Sequence, residues 1–269
     1  VARIEICPSS DPRCWIEVAS VDMMENQWPC LVWGTVKLGR TTQLRTPVHT
    51  LPSDTEAEHL VRQMVALGIR AFDTAPAYGS SETRLGLTAE PHISISTKAG
   101  ETHEQGQSHF DFSAEGVKQS LARSQERLNR EQLDLVYLHV HDNDLEILEH
   151  TEAWTTLLEA KEAGVMTHIG LSGKSPEAAR WALKHHTDAL MVPWNQKDQS
   201  HTDVLDEAAA RNVKIFVKKG LNSGELSASA SLQWMLEDSR IHAVVVGSLS
   251  LKHMQENLEV ARAVRPNQC

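Results

Sequence analysis

Short apolar runs alternate along this chain with stretches in which apolar residues recur about every three to four positions. The alternation repeats from Leu31 to Val264. The runs predict strands at Leu31–Thr35, Ile69–Asp73, Ile93–Lys98, Leu133–Val140, His168–Ser172, Ala189–Pro193, Val213–Lys218 and His242–Ser248. The longer period predicts helices between them. One opens at Ser53 and Glu56, spaced as a capping box, and carries Leu60, Val61, Met64 and Leu67 on one face. Further helices are predicted from Ser113 to about Leu128, over Trp154–Ala163 up to Gly164, from Pro176, over Val204–Arg211, through Trp234, and over Leu251–Val264. A polar loop with Arg40 and Arg45 follows the first strand, and a long loop runs from Ala99 to Asp111.

Ahead of this rhythm, IEI and WIEV flank a Pro-bracketed turn with Ser9, Ser10 and Asp11, so residues 3–20 read as a hairpin. The pattern predicts an α/β protein: an eight-stranded parallel β/α (TIM) barrel with an N-terminal β-hairpin closing the barrel floor. One domain is expected over 1–269, with the hairpin and lead-in at 1–30 and the barrel at 31–269.

The chain has 269 residues, a length normal for such a barrel, and 41% hydrophobic residues, enough for a large core. No run approaches the roughly 18 apolar residues of a membrane span, so no membrane partner is expected. The first residues lack a basic start and an apolar stretch, so no leader is expected in them and the cytoplasm is the expected location. A net charge of −10 speaks against a nucleic-acid partner, whose binding rests on phosphate neutralisation. It does not speak against a nucleotide cofactor, which needs only local donors. Cys7 and Cys14 could face each other across the hairpin. For all four cysteines (Cys7, Cys14, Cys30, Cys269), reduced thiols are the expected state.

Three strands and one turn deliver polar residues to a single rim. Asp73 ends the second strand in LGIRAFDTAPAY, and Tyr78 follows in the turn; Lys98 closes the third strand and His139 lies near the end of the fourth. Barrel enzymes place their chemistry at the C-terminal ends of strands. Each residue alone has a plain alternative, a solvated lysine or a satisfied interior histidine; their convergence is what carries the reading.

These residues resemble the Asp, Tyr, Lys and His tetrad of the aldo-keto reductases. The similarity continues through GTVKLG, YGSSETRLG, FDFSAEG, GLS, VVVGS and QENL. The resemblance implies reduction of a small-molecule carbonyl (aldehyde, ketone or sugar) to an alcohol, with hydride from a nicotinamide cofactor and Tyr78 as proton donor. Oxidation of an alcohol or sugar is the alternative direction. Lys98 is expected to favour the phenolate of Tyr78, Asp73 to fix Lys98, and His139 to donate to the substrate oxygen.

No G-x-G-x-x-G occurs, which excludes a Rossmann mode of cofactor binding. Loops after the last two strands can hold phosphates instead. The expected cofactor contacts are Gly34, Thr35, Val36, Asp73, Ser172, Gly173, Met191, Lys218, Gly220, Leu221, Ser223, Gly224, Gly247, Ser248, Leu249, Ser250, His253, Glu256 and Asn257. Trp33, Tyr78 and His139 are the expected substrate contacts, with Trp194 and the loop from Ala99 as further walls. The chain departs from the common family pattern at Gly173, Met191 and Lys218, where an Asn, a Gln and an aromatic ring are usual. Lys218 is expected to reach the cofactor's diphosphate or ribose instead. His253 stands where the family has an arginine for the adenosine 2′-phosphate, which implies NADP(H) with a reduced preference and NAD(H) as a second cofactor.

Two readings from other classes compete. His139-Val140-His141-Asp142 could start a metal site, but such sites need three or four convergent ligands, and no metal is expected. A barrel that binds the cofactor without turnover is the other. Oligomeric state is not legible.

Overall fold

The computed structural model describes residues 28–42, 44 and 49–269. The predicted hairpin at 3–20, and with it Cys7, Cys14 and Arg45, lies outside the described residues. Eight parallel strands close into a barrel: β1 (Leu31–Gly34), β2 (Ala71–Asp73), β3 (Ser94–Ala99), β6 (Leu133–His139), β7 (Met166–Ser172), β8 (Ala189–Pro193), β9 (Lys214–Lys218) and β10 (Ile241–Val246). They follow one another around the barrel in chain order, and β1 closes the ring against β10.

Helices α1 (Asp54–Leu67), α2 (Ser81–Thr88), α3 (Ala114–Leu128), α5 (Ala153–Glu162), α6 (Pro176–Lys184), α7 (Thr202–Ala209), α8 (Ala228–Glu237) and α9 (Leu251–Val264) supply the outer layer, with a short α4 (Asp144–His150) after β6. Local chemistry sets their ends. Ser53 and Glu56 form the predicted capping box, and Gly68 ends α1 at φ 111°, a left-handed conformation that a side chain resists. Ser113 caps α3 by accepting from Gly116 N, and Ser175 caps α6 ahead of Pro176. Each such cap is worth about 1 kcal/mol.

Strand alternation divides the core in two. Val32, Ala71, Leu135, Tyr137, Ala189, Met191, Phe216 and Ala243 fill the barrel interior, while the intervening residues pack under the helices. The same parity sends Asp73, Lys98, His139, Ser172 and Lys218 inward at the C-terminal ends of their strands. It also corrects the expectation for Trp33. That residue belongs to the outer layer, is fully buried, stacks edge-on to Phe72 and donates its indole N–H to the Ser248 carbonyl at 2.8 Å. It braces the loop after β10 and lines no open pocket. Trp194 is likewise buried, stacked on Trp234.

Two further expectations are overturned. The segment from Ala99 to Asp111 is not a loop but an antiparallel hairpin, β4 (Glu101–Glu104) and β5 (Gln107–Phe110). Its turn residues Gln105 and Gly106 both have positive φ, as a tight two-residue hairpin turn requires. Cys30 and Cys269 are not free thiols but form a disulfide, tying the chain end to the entry of β1 on the rim opposite the polar cluster. The Cys30 amide also donates to the Gln268 carbonyl, so backbone pairing brings the two sulfurs together.

Candidate active site at the C-terminal rim

β2 ends in Asp73, and a single 3-10 turn, Pro76–Tyr78, presents Tyr78. Two motif glycines fix that turn. Gly39 and Gly79 meet backbone to backbone; a Cβ on Gly39 would run into the Tyr78 carbonyl, and one on Gly79 into the Gly39 carbonyl. Arg40 adds a hydrogen bond of 2.9 Å from Nη1 to the Ala77 carbonyl.

Lys98 is almost fully buried, yet all three of its protons have acceptors: Asp73 Oδ1 at 2.8 Å, Asp73 Oδ2 at 2.9 Å and the Thr74 carbonyl at 2.7 Å. Ser96 Oγ also donates to Asp73 Oδ1 at 2.8 Å. Burial opposes the charge on Lys98, but Asp73 and Tyr78 outweigh it and hold the ammonium above the ordinary lysine range. Its Nζ lies 4.7 Å from the centroid of the Tyr78 ring.

Burial pushes the Tyr78 phenol up, and the nearby Lys98 charge only partly offsets this. Lys98 thus acts in the expected direction, toward the phenolate, but burial outweighs it.

His139, at the end of β6, is half-buried, with Nδ1 2.9 Å from Glu101 Oε2. Glu101 also accepts from Ser108 Oγ at 2.7 Å and lies 3.7 Å from Arg40 Nη1. Burial raises its pKa, but His139, Ser108 and Arg40 together prevail and hold it down at about 2. Burial leads in pulling His139 below the usual histidine range, with the charges of Lys98 and Lys218 adding to it. Sequence reasoning missed Glu101, Ser108 and Arg40 as neighbours of the site. The signal was there: Gln105-Gly106 is a hairpin turn that folds Glu101 and Ser108 onto the rim.

Across the mouth, Lys218 Nζ donates to Ser172 Oγ at 3.0 Å. Burial first, then the charges of Lys219 and Lys98, pull Lys218 down to about 7. Its amine thus meets the strand end of β7, beside another expected cofactor contact. Gly173 has a structural reason: a Cβ there would press on Asp144 Oδ2 at 3.2 Å. That carboxylate is committed to the Lys174 and Ser175 amides, each at 2.8 Å. Met191 is buried in the barrel interior and offers no polar contact.

The remaining predicted residues line the same rim. Gly34 lies against Val245, and Thr35 binds the Asp73 carbonyl through both its amide and Oγ1. Val36 opens a 3-10 turn, Gly220 packs on Met235, and Leu221 adjoins the 3-10 turn of Asn222–Gly224, which includes Ser223. Gly247, Ser248 and Leu249 lead into α9, where Ser250 caps the helix by accepting from His253 N. The amides of Leu251 and Lys252 have no acceptor among the described residues. His253 and Glu256 are exposed and Asn257 is buried. Serine hydroxyls, glycines and free amides at a helix start form a donor set that fits a phosphate-bearing cofactor.

His141 packs against Phe110 at 4.2 Å, and His168 Nδ1 faces the Asp134 carbonyl at 3.1 Å. No group of three metal-ligating side chains occurs among the described residues. No helix among them is long and apolar enough to cross a membrane.

A parallel β/α barrel with an acid–lysine–tyrosine cluster and a histidine at its C-terminal rim defines the class. The sequence profile of the Aldo/keto reductase family matches residues 30–229. The chain belongs to that family. It is 32% identical over 210 residues to a D-threo-aldose 1-dehydrogenase from a Pseudomonas species, covering 66% of this chain and 63% of that protein. It is 28% identical over 199 residues to L-galactose dehydrogenase of Arabidopsis thaliana, covering 68% and 60%. The matches thus span a little under two thirds of these two relatives' length. Among solved structures, one from Pseudomonas aeruginosa described as an aldo-keto reductase superposes with a TM-score of 0.79 at 37% identity, covering 87% of this chain and 90% of that one. The family match ends before the GSLSLKHMQENL segment.

Proposed function

We infer that this protein is a nicotinamide-dependent oxidoreductase that interconverts a carbonyl and an alcohol on a small molecule, a sugar being the leading class. The observation that carries this reading is the contact of Lys98 with both Asp73 oxygens beneath the ring of Tyr78. The bound cofactor would supply the two-electron chemistry, and the protein the proton and the orientation. Tyr78, held protonated by its burial, gives its proton to the substrate oxygen in reduction. Ser172, Lys218, Gly220, Ser223, Gly224 and the start of α9 would hold the cofactor. Sugar substrates are supported by the relatives that act on aldoses and galactose.

NADP(H) is the proposed cofactor, with NAD(H) accepted, because the start of α9 offers free amides, Lys252 and His253 to a phosphate. For location we propose the cytoplasm. The Cys30–Cys269 bond bears directly on this, since a reducing compartment would open it, and the redox state of the pair in cells tests it. The oxidoreductase reading is tested by a panel of aldoses, aldehydes and alcohols with each nicotinamide cofactor. Turnover with at least one pair, abolished in Tyr78→Phe, supports it; no turnover with any pair defeats it.

A further inference from the structure

The two ring nitrogens of His139 stand in different surroundings. Nδ1 is buried and faces Glu101 Oε2 at 2.9 Å. The carboxylate approaches off the line of the ring N–H, so the pairing is electrostatic more than an aligned hydrogen bond. Electrostatics are enough to choose a tautomer. A carboxylate so close repels a bare nitrogen lone pair and attracts an N–H.

Glu101 cannot swing away cheaply. Ser108 Oγ donates to its other oxygen, Arg40 stands beside that oxygen, and its backbone is registered against Phe110 in the hairpin. Only 13% of its side chain is exposed. Its pKa of about 2 keeps it ionised at any pH at which the protein would work.

A neutral imidazole carries one proton, and with that proton on Nδ1 the other nitrogen can only accept. We propose that Glu101 is a positioning residue that holds the proton of His139 on Nδ1, so that Nε2 offers a lone pair to the substrate oxygen and the site favours the hydroxyl form of its substrate over the carbonyl form near neutral pH. This rests on the oxidoreductase reading above and on the family resemblance, which places His139 at the substrate oxygen; the expected donor there becomes an acceptor. A hydroxyl donates to Nε2; a carbonyl oxygen, which has only lone pairs, is repelled until His139 takes a second proton. The charged groups bearing on that second proton are Glu101 from β4, which favours it, and Lys98 from β3 and Lys218 from β9, which oppose it. Arg40 acts on Glu101 in turn. Burial also opposes it, so the acceptor form prevails around neutrality.

The test is nitrogen NMR of the full chain with 15N-labelled histidine and no cofactor added. The His139 signals are identified by their loss in His139→Gln. At about pH 7.5, in the range where ordinary histidines are neutral, the expected result is a protonated Nδ1 and an unprotonated Nε2. In Glu101→Gln the side-chain amide can donate to Nδ1, and the proton moves at least in part to Nε2. With turnover established, the affinity for the alcohol relative to the carbonyl should fall about tenfold in this variant, the scale of one hydrogen bond. A protonated Nε2 in the wild type, or a Glu101→Gln variant that folds with an unchanged tautomer, overturns the proposal. If the variant does not fold, the wild-type spectrum still decides. Because the tautomer is read without turnover, failure of this proposal and failure of the oxidoreductase reading give different results.

Discussion

Lys98 and Asp73 form a two-pronged ion pair in the barrel mouth, with Nζ 2.8 and 2.9 Å from the two carboxylate oxygens. Both side chains are nearly fully buried, 1% and 3% exposed. At such burial, removing one partner strands the other charge, typically at about 3–5 kcal/mol. Asp73→Asn is therefore expected to lower stability on that scale in denaturant melts. The double variant Asp73→Asn with Lys98→Met should recover part of the loss. A double variant no more stable than Asp73→Asn would show that the pair is not the source.

Tyr78→Phe keeps the ring above Lys98 and removes only the transferable proton. Turnover should fall by about 10² to 10⁴, the usual contribution of a general acid, while cofactor dissociation constants stay close to wild type. Retention of more than about half the activity would remove Tyr78 from the role of proton donor.

Lys218 gives a pH signature in stability. Its pKa is about 7 in the folded chain against the ordinary 10.5, so between those values the unfolded state binds more protons. Stability contributed by this group therefore rises with pH across that window and is at its lowest below about pH 7. Lys218→Met should be more stable than wild type at low pH, with the advantage shrinking toward about pH 10.5. Melting temperatures across that range would check it; a constant difference would mean that Lys218 titrates normally.

His253 and Lys252 are exposed at the start of α9, and the proposed function makes them the contacts to a 2′-phosphate. NADP(H) should then bind more tightly than NAD(H), and the ratio should narrow in His253→Ala and in Lys252→Ala. Binding titrations of both cofactors to each variant measure this. A ratio unchanged in His253→Ala assigns the contact to Lys252 alone.

The Cys30–Cys269 disulfide closes a separation of 239 residues. Cys30→Ser should lower stability by about 2–4 kcal/mol under non-reducing conditions. It should change nothing further in reductant, where the wild type loses the same bond. Activity should be retained, because the bond lies on the rim away from Tyr78 and His139. Equal melting of wild type and variant without reductant would show the pair to be open in solution.

The sequence by itself determined the barrel and singled out Asp73, Tyr78, Lys98 and His139 for its candidate site. Apolar runs of strand length, helix caps at Ser53 and Ser113 and stops at Gly68 and Gly164 are local signals, written in neighbouring residues. Strand parity placed Asp73, Lys98 and His139 on one rim for the same reason. What depends on distance in sequence could only be decided by the tertiary structure. The hairpin that brings Glu101 to His139 joins residues from two different strands, and the Cys30–Cys269 bond joins the two ends of the described chain. Trp33 faces the helices because strand alternation turns its neighbour Val32 into the barrel, and only the closed barrel shows which face is the inner one. Charge states belong to the same category. Lys98 holds its proton, Tyr78 keeps its own and Lys218 gives its up easily, through burial and neighbours that converge only once the barrel closes.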